Sequence, residues 1–308
     1  MSWAAHELES YILHRHTRTQ VSYLAILVGC LSPDMLTKLP VYGLEIGSLV
    51  IRPEHPWEYH RGWPGVGPTH SLMYAVLLGL LVLWLFKSRE WALGLFIGTA
   101  AHVLTDCFDS VGVMLFFPFT EQHYTTGMWA YAAQAGRYGD AAAYYGSLGL
   151  VWDLFWLAVL LLNWRSLRSS YFFEKVAPGD PAWAWLRERA HAPDRVLLAL
   201  YRCYFVYGAC RIFGWTLWAH GRQGAPMDWG WNGPYWVDKA TVEQTGGLEL
   251  LGTSVTGFTG LVVTCWLLWL AAGRRLWLRT PPYAPAEPEP VAVPAPREPL
   301  EAKSAERS

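Results

Sequence analysis

His102 and Asp106 stand four positions apart in a largely apolar stretch, so on a helix both side chains leave the same face. An imidazole and a carboxylate paired in this way are a two-ligand foundation for a divalent metal ion. Asp109, seven positions after His102, continues that face. In isolation the His-x-x-x-Asp pattern also fits a histidine and an aspartate that satisfy each other. Three other places add nitrogen and oxygen donors: Ser32-Pro33-Asp34, which closes one apolar run, His60-Arg61-Gly62, and Thr69-His70-Ser71, which opens another. An aspartate in mid-helix costs roughly 2.5–3.5 kcal/mol on membrane-insertion scales and persists with a partner or a function. Nitrogen and oxygen ligands without thiolate suit Zn²⁺, with Mn²⁺ or Fe²⁺ as alternatives. The five cysteines, Cys30, Cys107, Cys203, Cys210 and Cys265, lack Cys-x-x-Cys spacing and read as buried thiols.

The elements that must position these groups are apolar helices. Of 308 residues, 53% are hydrophobic and 16% charged, well under the roughly 25% charged content of soluble domains. A formal net charge of −1 gives no pull toward nucleic acid. Disordered, collagen-like and disulfide-rich secreted classes are excluded for the bulk of the chain, and the first residues lack the pattern of a cleaved signal. Charge-poor stretches at 19–33, 71–86, 91–105, 141–164, 196–218 and 250–273 predict an all-α, multi-pass transmembrane bundle of about six spans. Arg202 and Arg211 place the fifth stretch within the bundle or at the interface, and Asp153 in the fourth is expected to pair with one of them. Segments 1–20, 87–90, 164–195 and 273–279 hold 13 Lys and Arg, against 6 in the longer segments on the other side. The positive-inside rule then predicts cytoplasmic termini and puts all four polar places at the outer side. Trp229, Trp231, Tyr235 and Trp236 read as an interfacial aromatic belt. The Pro- and Glu-rich residues 280–308 cannot bury a core and are expected to be a disordered tail.

These residues resemble a known family, the membrane-bound metal-dependent hydrolases of bacterial inner membranes called YdjM-like proteins. The motifs that carry the resemblance are His6, Gly29-Cys30-Leu31-Ser32-Pro33-Asp34 as a Pro-Asp turn, His60-Arg61-Gly62 with Thr69-His70-Ser71, and Gly98-Thr99-Ala100-Ala101-His102 through Asp106. Gly112 and Pro118-Phe119 complete the order, which covers residues 6–120. Residues 63–68 separate two motifs that the family keeps closer, Leu36 stands where a second acid is usual, and Asp109-Ser110 replaces a Thr-Pro pair. More distantly, the order of ligands is similar to that of zinc-dependent phospholipases C and related single-strand nucleases. The resemblance implies His6, Asp34, His70, His102 and Asp106 as metal ligands, with Asp106 able to bridge ions.

His6 constrains the geometry. Were residues 3–32 one helix, His6 and Asp34 would stand about 42 Å apart; they share a site only if the chain turns near Thr17-Arg18-Thr19 and brings the N-terminus outward. The resulting expectation is a hydrolase whose divalent ion, most simply Zn²⁺, activates water, with His60 or Asp109 as base or orienting group and Arg61 neutralising a phosphate-like transition state. An outer-face site in a lipid bilayer suits a lipid-linked substrate or a phosphoester. The alternatives are a structural metal site in a non-catalytic membrane protein and a transporter. The expected organisation is a hydrolase-like domain at 1–120, further transmembrane helices and a Trp-rich outer loop at 121–279, and the tail at 280–308.

Overall fold

A computed structural model describes residues 2–17, 19–42, 44–51, 68–129 and 136–233, with 255, 262–263 and 265–275 of the last apolar stretch. Tyr235, Trp236 and the 280–308 tail lie outside the described residues. Among the described residues the chain is helical apart from one hairpin, in which β1 (Leu44–Ile46) pairs antiparallel with β2 (Leu49–Ile51). The helices are α1 (Trp3–His16), α2 (Tyr23–Tyr42), α3 (Leu72–Phe86), α4 (Arg89–Asp106), α5 (Gly136–Tyr145), α6 (Leu148–Leu162), α7 (Ser169–Tyr171), α8 (Pro181–Glu188) and α9 (Asp194–Thr216).

Helix α1 stops at His16, where Thr17 turns extended and its hydroxyl bonds Leu13 O at 2.7 Å. The chain therefore turns between α1 and α2, and the N-terminal end of α1 returns to the Asp34 part of α2. This corrects the expected position of the N-terminus: it lies on the same side as the polar cluster. Ala4, Ala5, His6, Glu7, Leu8, Glu9, Ser10 and Tyr11 are all buried, so α1 is a polar helix enclosed by α2, α6 and α9. Its Leu8 and Tyr11 join Tyr23, Phe172, Trp183, Leu197 and Tyr201 in the main apolar core.

Helix α2 runs through Pro33 to Tyr42, where the family motif predicts a turn. A proline inside a helix leaves the carbonyl four residues back without its donor. Here that carbonyl, Gly29 O, accepts from Thr99 Oγ of α4 at 3.3 Å and from Ser32 Oγ at 3.5 Å. The neighbouring helix thus supplies what Pro33 removes, and Asp34 sits on continuous helix.

Asp153 is buried, and its partners correct the expected ion pair. Its carboxylate accepts from Ser2 Oγ (2.5 Å), Tyr144 Oη (2.7 Å) and Tyr145 Oη (3.0 Å). Arg211 instead reaches Glu7 on α1 at 3.4 Å, and Arg202 donates to Leu167 O at 2.8 Å. Cys30 is buried as expected, whereas Cys203 and Cys210 are exposed on α9.

Among the described residues one helix, Asp194–Arg222, is long and apolar enough to cross a membrane. Tyr23–Met35, Leu72–Phe86 and Leu148–Leu162 are apolar but shorter, and about 15 residues give only ~22 Å of helix against ~30 Å of hydrocarbon. Exposed apolar side chains nevertheless line α3 (Val76, Leu80, Trp84), α6 (Leu154, Phe155, Leu161) and α9 (Val206, Phe213), an outer surface suited to lipid.

At the other end of the bundle, Asp180 ties the segment before α8 to the start of α2. It is buried and accepts from Ser22 Oγ and from Leu24 N–H, while burial pushes its carboxyl up to about 6. A folded-state value above the ordinary one near 3.8 means that ionisation opposes folding, so this residue's contribution declines as pH rises from about 4 to 6. Asp180→Asn should remove that slope: its melting temperature relative to wild type is expected to rise between pH 4 and pH 7. A pH-independent difference would contradict this role. Asp180→Leu strips the acceptor from the buried Ser22 hydroxyl and from the half-buried Leu24 N–H, and should cost about 1–3 kcal/mol for the buried donor in a denaturation series.

Candidate metal centre

Close approach of α2 and α4 builds the centre. Gly29 on α2 and Gly94 and Gly98 on α4 let the backbones touch: a Cβ at Gly98 would lie 2.2 Å from Ile26 O and 2.9 Å from Cys30 N. A Gly-x-x-x-Gly stripe is a common way for membrane helices to pack this closely. Across this contact, His102 Nδ1 bonds the Cys30 carbonyl at 2.6 Å. A carbonyl only accepts, so Nδ1 carries the proton and Nε2 keeps its lone pair for the interior of the cluster.

His70 arrives from the short turn Pro68–His70. Ser71 caps α3 by accepting from Tyr74 N–H at 3.1 Å, and Leu72 N–H bonds Leu115 O at 3.0 Å, which fixes the turn against the loop after α4. Thr69 Oγ lies 3.1 Å from His70 Nδ1, so the His70 Nε2 also faces inward.

Asp34, His70, His102 and Asp106 each offer one ligand atom, and these four atoms lie within 4.8 Å of one another, all on buried residues. His70 Nε2 is 3.3 Å from His102 Nε2, 3.5 Å from Asp34 Oδ1 and 3.5 Å from Asp106 Oδ2. His102 Nε2 is 3.3 Å from Asp106 Oδ2 and 4.0 Å from Asp34 Oδ1. Ligands about 2.0–2.1 Å from a tetrahedral ion stand about 3.3–3.4 Å from each other. The 3.3–3.5 Å separations among His70, His102 and Asp106 are close to those edges, while the Asp34 side is wider, 4.0 Å from His102 Nε2 within a set that spans up to 4.8 Å. Two imidazole nitrogens and two carboxylates converging away from water match the donor set of a divalent-metal site.

His6 stands against the same cluster. Its ring stacks on that of His102 with centroids 3.9 Å apart and planes 14° apart. Its Nε2 is 3.9 Å from Asp106 Oδ1, its Nδ1 is 3.6 Å from Glu9 Oε2, and neither nitrogen has a hydrogen-bond partner among the described residues. Glu9 was not singled out from the sequence, although its place three residues after His6, on the same helix face, was the available signal.

Asp109 is outside the set of four. Its Oδ1 accepts from Val111 N–H at 2.9 Å and Gly112 N–H at 2.6 Å, and its carbonyl accepts from Thr125 Oγ. These contacts shape the loop after α4, where Gly112 holds a left-handed φ of 65° and a Cβ would meet Tyr124 O at 2.3 Å. His60 and Arg61 lie outside the described residues. Of the expected aromatic belt, Trp229 and Trp231 are exposed, and the Trp231 indole donates to Thr126 O at 2.6 Å.

Set against known proteins, the chain matches the family model described as YdjM inner membrane protein over residues 5–172. That range holds all five of His6, Asp34, His70, His102 and Asp106 and continues through α6, beyond the motifs at 6–120. No curated protein and no solved structure matches the chain.

Proposed function

Because the chain belongs to the YdjM inner membrane protein family and itself carries a buried His/Asp cluster, we propose that it is a metal-dependent hydrolase acting on an ester or phosphoester of a lipid-like substrate at the outer face. The observation that carries this reading is the convergence of Asp34, His70, His102 and Asp106 from three separate chain segments within 4.8 Å. A divalent ion held there, most simply Zn²⁺, supplies Lewis acidity and brings the pKa of water toward about 7. The protein's own part is to orient: Cys30 O sets the His102 tautomer, Thr69 steadies His70, and the α2–α4 contact fixes Asp34 against Asp106. His60 or Asp109 is assigned as the base or orienting group, and Arg61 as the contact to a phosphate-like transition state. The outer, lipid-facing position rests on the charge asymmetry of the segments and on the apolar outer surface of α3, α6 and α9. The six-span count and the division at residue 120 belong to the same reading.

A panel of phospholipids and lipid-linked phosphates in mixed micelles tests it. Turnover should stop on chelation, return with Zn²⁺ or Mn²⁺, and be missing from Asp106→Ala. Turnover that survives both treatments would overturn the proposal.

One observation favours a second reading, a structural ion. All four ligand residues are at most 2% exposed, as in closed four-ligand sites that contribute folding energy. Tightly held metal and melting sensitive to chelation, with no turnover on any ester, would select this reading.

A further inference from the structure

A neglected pair of groups lies directly behind the cluster, on α1. Glu9 is 3% exposed and His6 is fully buried, one helical turn apart on one face. Glu9 Oε2, His6 Nδ1 and His6 Nε2 are all buried without a hydrogen-bond partner among the described residues. Each such atom costs about 1–3 kcal/mol, and more on a charged group. Arg211, which reaches α1, is engaged by Glu7, and Glu7 and Glu9 leave the helix roughly 200° apart, on opposed faces. The ring stands between two carboxylates: Glu9 Oε2 is 3.6 Å from Nδ1, and Nε2 on the other side of the ring is 3.9 Å from Asp106 Oδ1. Asp106 directs its other oxygen, Oδ2, to His70 and His102.

We infer that Glu9 is a positioning residue that makes His6 a fifth donor to the metal centre, by accepting a hydrogen bond from His6 Nδ1–H and so leaving the Nε2 lone pair turned toward Asp106 and the ion. The inference rests on the cluster being a metal site. A carboxylate behind a histidine ligand fixes its tautomer and orientation, and loss of such a group costs about 10- to 100-fold in metal affinity. The 3.6 Å gap is longer than a hydrogen bond, and a small movement of the Glu9 side chain closes it. Stacking on His102 holds the His6 ring in place for that contact. The arrangement also accounts for a helix as polar as α1 lying inside an apolar bundle: its polar face completes the centre.

The test is Co²⁺ and Zn²⁺ affinity, by competition with a chelator, of full-length protein in detergent, with the visible spectrum of the Co²⁺ form as a second readout. Glu9→Leu should bind about 10- to 100-fold more weakly and shift the Co²⁺ bands. Glu9→Gln, whose carbonyl still accepts from Nδ1–H and whose shape is unchanged, should recover most of the affinity. In a His6→Ala background Glu9→Leu should add no further loss, a result that a merely structural effect of Glu9 would not give. Affinity in Glu9→Leu equal to wild type, or an equal loss with and without His6, overturns the inference while leaving the four-residue centre intact. Wild type that takes up neither ion overturns both.

Discussion

Gly98→Leu is expected to abolish the folded bundle, and Gly98→Ala to cost at least the upper part of the about 1–3 kcal/mol typical of overpacked cores. The reason is where the new atoms would go. A Cβ at Gly98 meets Ile26 O at 2.2 Å and Cys30 N at 2.9 Å, both backbone atoms of α2. No rotamer change relieves such a clash, so α2 must move away from α4. That movement carries off the Cys30 carbonyl that orients His102, and with it Asp34. Gly98→Ala should therefore lose metal as well as stability, two effects that separate core mutations rarely share. Gly214 on α9 has nothing within 4 Å of its Cβ position, so Gly214→Ala serves as a control and should be neutral or slightly stabilising. Thermal melts and metal content of the two alanine variants decide the matter; a Gly98→Ala protein that melts like wild type would show that the helices are not in backbone contact.

The second large effect concerns removal of the ion. Two buried carboxylates and two imidazole lone pairs converge within 4.8 Å, and without a cation they oppose one another. A ligand that binds only the folded state stabilises it by about 4 kcal/mol when present at a thousand times its dissociation constant. Chelation should lower the wild-type melting temperature by many degrees, and reloading with Zn²⁺ should restore it. In Asp106→Ala, whose carboxylate faces His70, His102 and His6, chelator and metal should both have little effect. A wild type indifferent to chelator after exhaustive dialysis would argue for a hydrogen-bonded His/Asp network in place of an ion.

Much of the centre was legible in the sequence because its residues announce themselves against an apolar background: His102 and Asp106 by helical spacing, Asp34 and His70 by their places at the ends of apolar runs. The turn between α1 and α2 follows from reach only once the family resemblance puts His6 at the site, since His6 and Asp34 cannot meet along one helix; the charge pattern points the other way. What stayed hidden depends on contacts between distant segments. The helix continues through Pro33 because Thr99, 66 positions away in the chain, satisfies Gly29 O. Asp153 finds Ser2 and two tyrosines where a charge-based reading expects arginine, because three hydroxyl donors, that of Ser2 from a distant segment, converge on its carboxylate. Helix α1 escapes hydropathy reading altogether: its first two turns are enclosed by other helices, where His6 and Glu9 face the centre and Glu7 faces Arg211 in place of water. Span number is equally poorly encoded, since helices of about 15 residues cross a bilayer only with help from their neighbours.

The measurement that tests the central claim most directly is elemental analysis of detergent-purified protein, wild type beside His70→Ala and Asp106→Ala. The geometry predicts at least one Zn²⁺ or Mn²⁺ per wild-type chain and its loss from both variants, with each variant still folded by circular dichroism. A wild type that carries no divalent metal after reloading, or variants that keep it in full, would contradict the assignment of Asp34, His70, His102 and Asp106 as a metal centre.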